Sequence, residues 1–253
     1  MTAVIALVRP PDTAPPAEHA SCAQCPALEL TFCRAIARKA GIPRDRIPSV
    51  DQFVHTVAAR RIICREQDEL AAVPIICSGW ALSAVMLADG SRQILSFLLP
   101  GDAASSSLLL EPKPNCFVEA ITNVTYRAFN RADLKQLMAA DPSALGTLAR
   151  VWTQEKRRTD ELVVDLGRRS AAERIARLIL GLFQRLQERS MTAGPHEIDF
   201  PLRQHHIADA TGLTPVHVSK LLSEFRRKGL IRLSERSLVI LDPAGFRAAA
   251  NIR

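Results

Sequence analysis

Aromatic residues are scarce in this 253-residue chain, at 5%, with one tyrosine and two tryptophans. Its interior must therefore be largely aliphatic, and a 47% hydrophobic content supplies enough for real cores. Long hydrophobic runs are missing as well, and no segment approaches the length of a membrane span. Val4–Val8 is an apolar patch too short for the core of a secretory signal, and Pro10, Pro11, Pro15 and Pro16 follow it. The expected location is the cytoplasm, with no membrane partner. In that reducing setting six cysteines do not read as a disulfide framework; clustered ones suggest metal or redox chemistry. Catalytic signatures are lacking too: there is no nucleophile elbow, no phosphate-binding glycine loop and no HExxH. The chain is not expected to be an enzyme.

Acidic balance is missing from one end. The net charge is +7. Residues 168–253 hold 15 Lys/Arg against 8 Asp/Glu, whereas residues 1–167 hold 18 of each. The whole basic surplus sits in the C-terminal third, as the electrostatic footprint of a nucleic-acid binder should.

That third contains RQHHIADATGLTPVHVSKLLSEFRRKGL (203–230). Ile207, Ala208, Ala210 and Leu213 are the apolar and small positions of a short helix and its exit, and Gly212 sits where a tight turn needs positive φ. Thr214 is a good N-cap and Pro215 suits the first helical position. Val218, Leu221, Leu222 and Phe225 follow at the spacing of one buried helix face. His217, Ser219, Lys220, Arg226, Arg227 and Lys228 fall on the other. This is a helix-turn-helix, whose second helix enters the major groove of duplex DNA. Leu230–Leu241 reads as a two-stranded wing around Ser234–Ser237.

Upstream, residues 1–20 are Pro/Ala-rich and expected to be disordered, and residues 21–48 form a cysteine-rich segment. Ser49 to Ala59 reads as a short amphipathic helix. Short apolar runs between turn signals, from about Arg60 to Phe129, predict an antiparallel β-roll, and the roll domain spans 49–140. Residues 141–167 read as a long helix that Gly167 stops. Its positions Leu145, Leu148, Trp152, Glu155, Thr159, Leu162 and Leu166 follow a 3,4 spacing, which predicts a coiled-coil seam against a second copy. Glu155 either faces its own copy across the two-fold axis or lies at the rim of the seam. Ser170 and Glu173 form a capping box that opens the C-terminal domain, 168–253. The fold class is α+β: a β-roll, a dimerisation helix and a winged helix-turn-helix.

This order resembles the Crp/Fnr family of bacterial transcription regulators. LLPGD (98–102) is similar to the glycine turn of the family's cyclic-nucleotide-binding-like roll. RRSAAERIARLI (168–179) resembles the start of its DNA-binding domain, and HIADATGLTPVHVSKLLSEFRRKGLI (206–231) its helix-turn-helix. The resemblance spans about residues 49–245. It implies a homodimer on a two-fold symmetric double-stranded DNA site, with RNA polymerase as a further partner. Members that bind cyclic AMP carry an arginine after the glycine turn that pairs with the cyclic phosphate. Here AASSSLLLEPKP (103–114) has none, so no cyclic nucleotide is expected.

Cys22-x2-Cys25-x7-Cys33 resembles the iron–sulfur ligand set of the family's oxygen sensors, which implies a 4Fe-4S cluster controlling dimerisation and DNA binding; a zinc site or free thiols are the alternatives. The family's fourth ligand falls near Arg127, which cannot ligate. A hairpin through Thr122-Asn123 would place Cys116 opposite residues 127–129, making Cys116 the candidate fourth ligand; the alternative is a half-buried strand cysteine. Cys64 and Cys77 are expected to pack in the core. The other family-level reading is a regulator without a cluster, sensing thiol oxidation, nitric oxide, haem or a small ligand in the roll. On the recognition helix, Ser219 and Lys220 match the family's base-reading Ser-Arg pair, and Val216 stands where a glutamate is usual. His217 either substitutes for it or contacts phosphate. Arg203, Arg226 and Arg227 are candidate phosphate contacts, and Thr214 joins the site as the cap.

Overall fold

Residues 54–140 and 142–252 are described in the computed structural model. Cys22, Cys25 and Cys33, with the whole of 1–53, lie outside the described residues.

Seven strands open the fold: β1 (Val54–Val57), β2 (Ile62–Cys64), β3 (Ala72–Ser78), β4 (Ala81–Met86), β5 (Arg92–Leu98), β6 (Phe117–Ala120) and β7 (Val124–Asn130). They form two antiparallel sheets, ordered β1-β7-β3 and β2-β6-β4-β5. Strand alternation then decides what each face meets. Ile76, Ala81, Leu98, Val118 and Val124 share one buried cluster drawn from both sheets. Val73 and Ile75, on the opposite face of β3, pack against Leu134 and Leu148 of the helices that follow. Leu82, Ala84, Ile94 and Phe97 join the core of the C-terminal domain. Both faces of β3 and β4 are covered, which is why VPIIC and WALSAV carry almost no polar residues.

Helices α1 (Arg131–Ala140) and α2 (Pro142–Arg168) come next, then α3 (Ala171–Glu188), β8 (Glu197–Asp199), α4 (Gln204–Thr211), α5 (Pro215–Arg227), β9 (Ile231–Leu233), β10 (Ser237–Ile240) and α6 (Pro243–Ala249). The Ser170–Glu173 capping box at the start of α3 is present with both of its hydrogen bonds. The wing strands β9 and β10 pair as a hairpin, and β8 adds a third strand on the other side of β10.

Four expectations are corrected. Ser49–Ala59 is not a helix where it is described: Val54–Val57 is a strand paired with β7, because the sheet offers it a full row of backbone partners. The hairpin through Thr122-Asn123 does not form. β6 pairs with β2 and β4, β7 pairs with β1 and β3, and Arg127 stands opposite Val54 and Ile75. The chain changes sheets at this turn, so Cys116 does not face residues 127–129. Instead Cys116 is 4% exposed, just before β6 and near Cys64, whose register partner is Val118. Gly167 does not stop α2, which runs to Arg168.

The fourth correction concerns the long helix. Leu148 is fully buried against the chain's own roll, with Trp152 packed beside it, because β3's outer face must be covered by something apolar. The Glu155 carboxylate is turned toward the chain's own roll, where it accepts a hydrogen bond from the Ser106 hydroxyl. Leu166 lies against Gly212 of the C-terminal domain, while Leu162 is half-buried and Thr159 exposed. Among the described residues, the large apolar side chains that α2 leaves exposed are Leu145 at 52%, Val163 at 66% and Val164 at 48%.

Burial pushes the Glu155 carboxyl above its usual range, against the Ser106 hydrogen bond that lowers it. A raised folded-state pKa means the ionised form costs stability, a cost absent in acid that grows as pH rises through the folded-state value. Glu155→Gln keeps an acceptor for Ser106 without the charge. It is expected to be more stable than the parent near neutral pH and equal to it in acid, as read by urea denaturation at both pH values.

Candidate nucleic-acid interface

The helix-turn-helix forms as its local sequence dictates. Gly212 closes α4 at φ 64°, in the left-handed region, and donates its N–H to Ala208. The Thr214 hydroxyl accepts from the His217 N–H at 3.3 Å, capping α5, and Pro215 takes the first helical position. Val218, Leu222 and Phe225 are buried, and the Phe225 ring meets Phe246 edge-on at 5.5 Å. His206 is buried in α4. Burial, with His205, Arg92 and Arg203 nearby, lowers its pKa to about 3. It is therefore neutral, and its Nδ1 accepts the Arg203 N–H at 3.1 Å.

The outer face of α5 is open. Val216 is 79% exposed, and His217, Lys220, Arg226 and Arg227 are exposed beside it. Arg203 is exposed at the start of α4. Ser219 is half-buried, and its hydroxyl oxygen accepts from Gln204 Nε2 at 3.2 Å. Lys228 is tied to Glu224 at 2.7 Å. The fold thus brings Val216, His217, Ser219 and Lys220 to one surface, with Arg203 and the Arg226–Arg227 pair available to a phosphate backbone.

Sequence reasoning missed what aims this surface. Asp102, in the LLPGD turn, accepts from Arg185 of α3 at 2.5 Å and from Arg189, the C-cap of α3, at 2.7 Å. Arg185 also donates to the Phe97 carbonyl at 2.9 Å, and Arg189 to the Pro100 carbonyl at 2.6 Å. Burial raises the Asp102 pKa, but the two arginines outweigh it and hold the carboxyl below the usual carboxylate range. On the hairpin of the roll, Arg92 bonds Asp209 of α4 through two nitrogens, at 2.7 and 2.9 Å, and Glu119 at 3.1 Å. Asp165, near the end of α2, pairs with Arg169 and with Arg177 at 2.9 and 2.7 Å. The winged domain is therefore pinned to the roll and to the long helix. Two arginines four residues apart on one helix face were the available signal.

Known proteins agree with this architecture. The cyclic nucleotide-binding domain pattern matches residues 54–141, and the Crp-like helix-turn-helix domain pattern matches residues 173–249. The nitrogen fixation regulation protein FixK of Bradyrhizobium diazoefficiens is 32% identical over 165 residues, covering 65% of this chain and 68% of that protein. The chain belongs to the Crp/Fnr family. This Crp/Fnr regulator is also 26% identical to the transcriptional activator FnrL of Cereibacter sphaeroides, over 87% of this chain and 88% of that protein. Its fold is similar to the solved structure of FixK2 from Bradyrhizobium japonicum, with a TM-score of 0.70 at 26% identity, covering 78% of this chain and 96% of that one. A Crp/Fnr regulator is a DNA-binding transcription factor, and the expected roll, helices and C-terminal helix-turn-helix are all present. Among the described residues no helix is long and apolar enough to cross a membrane.

Proposed function

We propose that this Crp/Fnr regulator responds to oxygen or redox state through a 4Fe-4S cluster held by Cys22, Cys25 and Cys33, and that it acts as a homodimer on a two-fold symmetric DNA site. The observation that carries the sensing part is the spacing Cys22-x2-Cys25-x7-Cys33, three thiolate donors within twelve residues. Two relatives, from Aggregatibacter actinomycetemcomitans and Haemophilus influenzae, each 24% identical, bear the name anaerobic regulatory protein, which supports the same reading.

The donor chemistry of the described residues bears on the fourth ligand. Cys116 and Cys64 are buried near each other at the β2–β6 junction, and burial pushes their thiols up to about 11 and about 12. A soft iron can displace such a proton. Cys116 is the fourth ligand in this reading, with Cys64 as its neighbour in reserve. When bound, the cluster supplies an oxygen-labile charge and shape at the N-terminal segment; the chain's own part is to couple that state to α2 and, through the Asp102 and Asp165 ion pairs, to the winged domain. The second copy would meet α2 on the stripe of Leu145 and Val163, five helical turns apart, with Thr159 between them and Trp152 at its border.

Purification without oxygen, followed by iron and sulfide analysis, tests the cluster. Each Cys→Ser change at 22, 25 and 33 is expected to abolish it, because a hard hydroxyl replaces a soft thiolate. Cys116→Ser is expected to do the same and Cys77→Ser to leave the content intact. Zinc without iron in the wild type would end this reading.

No cyclic nucleotide is part of it. The cavity beneath the LLPGD turn, between Asp102, Ser106, Glu155, Arg158 and Arg189, measures about 30 Å³, room for little more than one water. Arg189 there is already committed to Asp102.

On DNA, two half-sites about one helical turn apart are expected. Lys220→Ala should cost about 1–3 kcal/mol at one base pair, and Arg227→Ala should weaken all sequences alike. Competition binding against single-base variants of a selected site reads both. A flat loss for Lys220→Ala would remove it from the base-reading set.

A further inference from the structure

Among the described residues, the Ser219 hydroxyl has one hydrogen-bond partner, the side-chain amide of Gln204, and the direction of that bond has a chemical consequence. A hydroxyl carries one proton and two lone pairs. Nε2 of Gln204 is a donor and occupies a lone pair of the serine oxygen at 3.2 Å. The serine proton is then left without an acceptor in the protein. Ser219 stands at the edge of the outer face of α5, between the buried Val218 and the exposed Lys220. Val216, one turn earlier, is apolar and 79% exposed, so it offers that proton no acceptor. The nearest acceptor available is therefore one that arrives with the DNA.

We propose that Gln204 is a specificity-determining residue that fixes the polarity of Ser219, so that Ser219 reads a hydrogen-bond acceptor on a base edge. The inference rests on the DNA-binding reading of α5. In the major groove, acceptors are guanine O6 and N7, thymine O4 and adenine N7, whereas the cytosine edge presents the N4 donor. The base facing Ser219 is thus guanine, thymine or adenine; cytosine is disfavoured because its N4 donor can use only the remaining lone pair and leaves the serine proton without an acceptor. Gln204 acts here as a positioning residue: it lies at the first position of α4, the helix that crosses the backbone, and it need not touch the base itself.

The polarity can be reversed by one atom. In Gln204→Glu the carboxylate accepts and carries no proton, so the Ser219 hydroxyl turns inward to donate to it and presents a lone pair to the groove. Binding of the full-length protein to a selected site is measured for all four base pairs at the position where Ser219→Ala flattens the preference. The wild type is expected to disfavour the base pair that places cytosine opposite Ser219 by about tenfold. Gln204→Glu is expected to invert that order toward cytosine, and Gln204→Ala to flatten it. The preference set by Lys220 at its own base pair should stay unchanged in both variants, which shows that the domain is folded and docked. If Gln204→Ala weakens all four base pairs equally and keeps their order, Gln204 only clamps phosphate and the proposal is overturned. If Ser219→Ala changes no preference at any position, Ser219 reads nothing and the proposal fails with DNA binding intact. If the wild type selects no site at all, it is the DNA-binding reading that fails, and this inference with it.

Discussion

Asp102→Ala is expected to lower the stability of the protein by about 3–5 kcal/mol. The carboxylate is 12% exposed and is the shared partner of Arg185 and Arg189, whose side chains are 13% and 8% exposed. Removing it leaves two guanidiniums facing each other in the interior with only carbonyl partners. That is far costlier than the net worth of the original pairs, since a buried unpaired charge pays its full desolvation. The consequence reaches beyond stability. Asp102 belongs to the roll and both arginines to the winged domain, so the variant should also uncouple the two. Urea denaturation followed by separate probes of each domain should show two transitions where the wild type shows one. The pH dependence has a definite sign. The Asp102 pKa is depressed by folding, so its contribution is complete above the ordinary carboxylate value and is lost as pH falls from there through the depressed folded-state value. Asp102→Ala should therefore be less sensitive than the wild type to strong acid, below the ordinary carboxylate value. A single transition with a loss below about 1 kcal/mol would show that the Asp102 pairs add little and that the apolar contact and the Arg92–Asp209 pair hold the roll and the winged domain together.

Phe225→Ala is expected to cost about 3–5 kcal/mol and to remove DNA binding at physiological temperature. Phe225 is buried on the inner face of the recognition helix and packs edge-on against Phe246 of α6, which is fully buried. The truncation takes away the apolar area and leaves a hole between α5 and α6. The recognition helix then loses the contact that fixes its rotation, so Lys220 and Ser219 no longer stand in register with the bases. Thermal unfolding by circular dichroism and binding to a selected site read the two effects. Full DNA affinity in a variant that has lost its stability would show that DNA re-imposes the helix position on binding.

Much of the C-terminal domain was legible because its signals are local. The capping residues Ser170 and Thr214, the turn glycine Gly212 and the helix-spaced Val218, Leu222 and Phe225 act within a few residues of one another, and the structure repeats each of them. The wing hairpin followed for the same reason. The third strand β8 and the last helix α6 gave weaker signals: β8 is three residues long, and Glu197–Asp199 carries one buried side chain.

The roll and the long helix were read less well, and the causes are specific. A hairpin at Thr122-Asn123 looked sound because two apolar strands flank a polar turn, yet strands that close a two-sheet roll can cross from one sheet to the other. Nothing within six residues of that turn distinguishes the two outcomes. The 3,4 spacing of α2 was real, but an apolar stripe says only that something covers it. Leu148 and Trp152 are covered by the chain's own β3, whose outer face is as apolar as its inner one.

What the sequence determined by itself is therefore the strands of the roll from Arg60 on, the helices with their caps and turns, the basic surface of α5 and the cysteine spacing, all set by short-range sterics, hydrogen bonding and charge. The tertiary structure decided which sheet received β6 and which β7, what Leu148 and Glu155 face, that Cys116 lies by Cys64, and that Asp102 pins the winged domain through two arginines more than eighty residues away. These depend on burial and on pairing between distant groups, and the free energy of such contacts exists only once the chain has brought both partners out of water.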